Sequence, residues 1–278
     1  MTRYAYKAVA ILGLAIATFA QQAQQAQQAQ QGPKPKSQKE VEALQKVQQA
    51  TDPEGRMKAI DNVLENFADT EYKHILLDMA IQSAQQARDP AKVEVYADRA
   101  LKEDPKDVTA QLAVASSTIQ GTKEFDLDKD QKLAKAEKNA NGALESLKTA
   151  TPPNAQIPDA QWQEMKKQMS AEAYATLGAV ALFRKKPEDA VANLKSAAEV
   201  DPEPFILVRL AHAYNEAKQP DNALSTSDKV LAMSDAPPQA KQIAQQEKAR
   251  AEKAKAPAAT PAPAATPAPS TTPAPPPK

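Results

Sequence analysis

Four carboxylates offer the most definite chemistry in this chain. Asp126, Asp128 and Asp130 alternate with other residues, and Glu137 follows Asp126 by eleven positions. That spacing suits calcium, a hard cation that gathers several oxygens from one short loop. Leu133 stands where such a loop carries an apolar residue, but Gln131 occupies the place where it needs glycine for its sharp turn. The competing and preferred reading is an acidic turn whose aspartates favour the N-terminus of the following helix. No resident metal or other cofactor is therefore assigned, and Asp126, Asp128, Asp130 and Glu137 are kept as an alternative set. The two histidines, His74 and His212, fall in separate segments of a chain with no cysteine. Neither forms the i, i+4 histidine pair of a helical metal site.

Other chemistries lack their signatures. There is no G-x-G-x-x-G, no G-x-x-x-x-G-K-[ST] and no G-x-S-x-G, so phosphate loops and nucleophile elbows have no support. Thirty-five basic residues balance thirty-five acidic ones. No basic excess argues for nucleic acid. The expectation is a protein that is not an enzyme.

What must position any functional side chain is a set of helices, and residues 171–202 show their plan. Tyr174, Leu177 and Ala181 share one helical face, with Gly178 beside them. Ala190, Leu194 and Ala197 make a second stripe, and the polar run 184–189 separates the two. Small residues at Gly178, Ala190 and Ala197 let two helix axes approach at the close end of the usual ~8–10 Å range. Pro202 cannot continue the second helix, so it ends that arm. Two helices alone cannot bury such stripes, and neighbouring copies are required.

This stretch resembles a tetratricopeptide repeat, a helix–turn–helix with W-x2-L-G-x2-Y, then A-x3-F, then P. Tyr174 stands for the tryptophan, Ala181 for the tyrosine and Leu194 for the phenylalanine. Leu207, Leu210, Ala211, Tyr214 and Ala223 repeat the pattern 33 residues on. The resemblance implies an all-α, right-handed α-solenoid of about five helix pairs with a C-terminal capping helix. It further implies a binding scaffold whose working surface is concave and lined mostly by first arms. Family members that clamp a peptide carboxylate use Lys and Asn at set first-arm positions, which here hold Ala175 and Ala179, so that clamp is not implied. The 126–137 stretch resembles an EF-hand loop only in its carboxylates, its flanks belonging to a helix pair.

Taken in order, residues 1–20 have the form of a secretory signal peptide. Arg3 and Lys7 precede an apolar run from Ala8 to Phe19, and Thr18-Phe19-Ala20 offers a cleavage site. Its removal would leave no integral membrane span and an exported protein of the periplasm or cell envelope. Residues 21–38 form a Gln/Ala-rich linker. Helix pairs are expected at about 39–72, 73–106, 107–150, 159–203 and 204–236, and a capping helix at 237–255. Residues 256–278, rich in Pro, Ala and Thr, are expected to be disordered. Ala59 to Val93 and Phe67 to Leu101 are each 34 residues, which sets the register. Asp52-Pro53-Glu54-Gly55 and 184–189 are expected to be turns, and 121–130 an inserted loop. A second insertion leads into one long arm from about Asp159 to Arg184, with Trp162 as core or groove wall.

The groove candidates are Arg209, His212, Asn215 and Glu216, which avoid the apolar stripe of the fifth pair. The expected function is a protein–protein interaction scaffold that takes a peptide or protein partner in its groove. Two alternatives remain open: an envelope-assembly or cell-wall factor with spacer-like ends, and a calcium-responsive module using 126–137.

Overall fold

A computed structural model describes residues 33–256 apart from 154 and 155. Among them are eleven helices and no strand. The helices are α1 (Gln38–Gln49), α2 (Pro53–Asn66), α3 (Lys73–Gln86), α4 (Pro90–Glu103), α5 (Val108–Gly121), α6 (Lys129–Thr149), α7 (Asp159–Phe183), α8 (Pro187–Val200), α9 (Pro204–Glu216), α10 (Pro220–Ala232) and α11 (Pro238–Lys255). The signal peptide, most of the Gln-rich linker and nearly all of the Pro-rich tail lie outside the described residues.

Each helix packs on the next in sequence. The main contacts between non-consecutive helices join α3 to α5, α5 to α7 and α9 to α11. All of these but the closing helix α11 are first arms. The first arms thus form one layer, and the second arms α2, α4, α6, α8 and α10 cover its other side. Five helix pairs closed by a single helix make an all-α solenoid, as the resemblance implied.

The core follows the chain instead of gathering at one centre. Leu44, Ile60, Leu77 and Val93 belong to one cluster, Ala190, Leu194 and Leu210 to another, and Val208, Val230 and Ala244 to a third beneath α11. Among the residues singled out for repeat packing, Gly178, Ala190, Leu194, Ala197, Leu207, Leu210, Ala211 and Ala223 are buried. Tyr174, Leu177 and Tyr214 are half-buried, and Pro202 is exposed just beyond the end of α8. Ser227, at the place of Leu194 in the last pair, is fully buried with its hydroxyl unpartnered.

Three local expectations are corrected. Pro53 and Pro187 do not lie in turns: each is the first residue of a second arm, because proline has no N–H to lose at that position. Gly55 donates its amide to Asp52 in the first turn of α2 at 2.7 Å. Phe67 is the C-terminal cap of α2, while Leu101 lies inside α4, so their equal spacing marks register but not equal roles. The insertion is not one loop over 121–130. α5 runs through Gly121 and α6 starts at Lys129, so the added residues partly lengthen α6, to 21 residues against 14 in α4.

Candidate functional site

Three consecutive first arms bring polar side chains together at Ser116 (α5), Glu172 (α7) and Arg209 (α9). The Ser116 hydroxyl donates to the Glu172 carboxylate, and the Arg209 charge lies near enough to favour its ionised form. Glu172 nonetheless stays open to solvent while the protein around it desolvates the carboxyl and raises it from its ordinary value. Desolvation likewise lowers the Arg209 guanidinium, with Glu172 opposing.

The other three groove candidates point elsewhere. His212 Nδ1 lies 2.9 Å from Glu247 Oε1. Asn215 Nδ2 donates to the Glu247 carbonyl at 2.9 Å and to its carboxylate at 2.8 Å. Glu216 accepts from Arg250 at 2.7 Å. These contacts fasten α9 to α11, and Arg209 alone of the four lies beside Glu172.

The fastening carries a pH signature. The hydrogen bond with Glu247 raises His212, outweighing its burial. Burial opposes ionisation of Glu247, but the bonds from His212 and Asn215 prevail and lower its carboxyl. The raised histidine contributes stability fully below its unfolded value of 6.5 and loses it as pH rises through the higher folded value. The lowered carboxylate contributes above its unfolded 4.5 and loses that as pH falls through the lower folded value. The pair therefore works best between those two unfolded values. Because both groups retain some solvent contact, His212→Gln is expected to cost on the order of 0.5–1 kcal/mol within that window. Thermal melts at pH 5.5 and pH 8.5 check this: the deficit should be larger at the lower pH.

The turns within pairs two, four and five are built alike. Arg88, Lys185 and Lys218 each adopt a left-handed backbone, with φ of 56°, 57° and 57°. The next residue in each case returns its amide to a carbonyl five positions back: Asp89 to Ala84, Lys186 to Ala181 and Gln219 to Tyr214. That bond is the signature of a Schellman cap. Proline then opens the second arm in all three. The same reversal recurs in the solenoid at equivalent points of its pairs. The array is tetratricopeptide-like.

No family model matches the chain, and no curated protein matches it. Similar solved structures include a thermophilic TPR protein of Thermus thermophilus, TTC0263, at 14% identity over 73% of this chain and 90% of that one, TM-score 0.46. The MamA protein is 18% identical over 66% of this chain and 86% of its own, TM-score 0.40. The assembly chaperone of RpL4, Acl4, is 13% identical over 77% and 97% respectively, TM-score 0.41. The fold assignment rests on the helix order, first-arm packing and turns of the chain itself.

Within the tetratricopeptide-like array the 126–137 stretch does not form an EF-hand loop. Residues 129–137 are the opening turns of α6, which corrects the loop reading. Lys132 bonds Asp126 at 2.8 Å and Asp128 at 3.0 Å, and Arg184 pairs with Glu137 at 2.8 Å. Asp130 lies in the first turn of α6, where its charge suits the helix N-terminus. The same segment leaves Phe125 and Leu127 wholly exposed.

Sequence reasoning missed one cluster. His74 and Asp78 on α3 meet Asp107, the N-cap of α5, across the contact between these two first arms. Burial and then the charge of Asp107 push Asp78 well above the ordinary carboxylate range. Burial also raises Asp107, against the amide of Ala110 that favours its charge. The i, i+4 spacing of His74 and Asp78 was the available signal, but Asp107 joins them only through the packing of α3 on α5. Among the described residues no helix is long and apolar enough to cross a membrane.

Proposed function

We propose that this protein is a non-catalytic interaction scaffold that binds a protein or peptide along the face of its first arms. The observation carrying this is the polar cluster of Ser116, Glu172 and Arg209 on three successive first arms. A solvent-exposed carboxylate that is hydrogen-bonded and stands beside a guanidinium presents fixed polar groups to an incoming chain. Arg209 can fork onto a carboxylate, and Glu172 can accept from backbone amides or basic side chains. Binding to a preformed groove of this kind follows known modes of peptide recognition.

The setting we propose is the cell envelope, on the strength of the apolar leader. Fractionation of cells carrying the full chain checks it, with cytoplasmic retention as the overturning result.

The groove is tested by affinity capture with the full chain and a Glu172→Ala/Arg209→Ala variant. Capture of a protein partner by the parent, and loss of at least tenfold of it by the variant, is the expected outcome. The variant should melt within a few degrees of the parent, since both side chains sit at the water-facing edge of the packing. Equal capture by both chains would remove the groove assignment.

A further inference from the structure

We propose that His74, Asp78 and Asp107 form a binding site for a divalent transition cation of the zinc class, which ties the first arm of the second helix pair to that of the third. One ligand atom from each of the three residues lies within 4.8 Å of the others. Zinc with ligands at about 2.0–2.2 Å places them roughly 3–3.5 Å apart, so modest side-chain rotation closes the set.

The oxygens on hand are already aimed inward and lack other employment. The Asp107 side chain is only 2% exposed, and its Oδ2 has no hydrogen-bond partner. That atom faces His74 Nδ1 at 3.5 Å. Its other oxygen is committed, accepting from the Ala110 amide at 3.0 Å and so capping α5. Asp78 has a second buried oxygen without a partner, Oδ1, while its Oδ2 lies 3.7 Å from His74 Nε2. A native fold seldom leaves buried carboxylate oxygens unsatisfied, and two at one contact call for a counter-charge.

The donor set selects the cation. One imidazole and two carboxylates suit a borderline divalent ion, whereas calcium and magnesium take oxygen ligands and more of them. Two carboxylates balance the charge of one such ion. The His74 side chain is 51% exposed, which gives the ion a route in and leaves positions for water. The positive end of α5 opposes a cation, but Asp107 stands between the two. The His212 contacts differ, because there both Glu247 oxygens already receive hydrogen bonds from His212 and Asn215.

Calorimetry on the full chain, stripped with EDTA and free of any histidine tag, tests this with zinc, calcium and magnesium chlorides as separate titrants. One zinc ion per chain at micromolar affinity or tighter is expected, with calcium and magnesium at least a hundredfold weaker. His74→Ala and Asp78→Asn should each weaken zinc by tenfold or more, and His212→Ala should leave it unchanged. Zinc should also raise the melting temperature of the parent and not that of His74→Ala, a readout that does not depend on the titration. His74 is exposed enough for its variant to fold. No zinc binding by the parent, or equal binding by the His74 and Asp78 variants, overturns the site.

Discussion

Gly178→Glu is expected to lower the stability of the protein by about 3–5 kcal/mol, the sum of overpacking and an unpaired buried charge. A Cβ added at Gly178 would lie 2.5 Å from Leu194 Cγ and 3.0 Å from its Cδ2. Leu194 is fully buried between neighbouring pairs, so it has no free direction in which to retreat. Even Gly178→Ala should cost about 1–2 kcal/mol, overpacking outweighing the helix propensity gained. Gly121→Ala is the control. Nothing lies within 4 Å of a Cβ at Gly121, so that change should be neutral or stabilise by up to about 1 kcal/mol. Thermal and urea melts of the three variants decide the matter, and a Gly178→Glu curve like that of the parent would contradict the packing of α7 on α8.

Glu40→Ala has the next largest expected effect, a loss of about 2–3 kcal/mol. Glu40 is only 1% exposed. Its Oε1 accepts from the Thr70 hydroxyl at 2.6 Å and its Oε2 from the Lys36 amide at 2.6 Å. Its own amide donates to Ser37 Oγ at 3.1 Å, so the S-x-x-E run at 37–40 caps α1 as it enters the fold. The turn after α2 is thereby held to the start of α1. Lys36 bonding the Asp69 carboxylate at 2.8 Å, and Tyr72 donating to the Pro33 carbonyl at 2.7 Å, continue the same fastening. Removing the carboxylate leaves the Thr70 O–H without its acceptor inside the protein, although the Thr70 oxygen still accepts from the Tyr72 amide at 3.2 Å. Glu40→Gln keeps an acceptor and should lose about half as much, so a ranking of the two variants by melting temperature checks the hydrogen-bond account. Equal losses would point to the carboxylate's charge in place of its acceptor geometry, and no loss in Glu40→Gln would point to volume.

The helices were legible because a stripe of apolar residues at helical spacing is a local property. Leu76, Leu77, Ala80 and Ile81 announced α3, and Trp162 through Leu177 announced the unusual length of α7. Boundaries were less legible. Proline at 53 and 187 suits both a turn and the first residue of a helix, and sequence alone does not separate the two. The reversals at Arg88, Lys185 and Lys218 carry no glycine, the residue that usually marks a left-handed cap, so nothing in the residue types disclosed them.

Candidate sites were legible in part. Arg209 was singled out from the sequence, but Ser116 and Glu172 were not, since they join it from other helix pairs. His212, Asn215 and Glu216 read as groove residues because the sequence could not show that α11 returns to cover them.

The sequence by itself determined the helix content, the pair-by-pair organisation and the close approach of two helices at Gly178, Ala190 and Ala197, because these follow from spacing along one chain. Only the tertiary structure decided which polar groups meet. Asp78 and Asp107 are brought together by the packing of α3 on α5, as are Glu172 and Arg209 by the succession of first arms. The physical reason is that a repeat fixes which face a helix buries, whereas charges outside that face are placed by how successive pairs are rotated against each other.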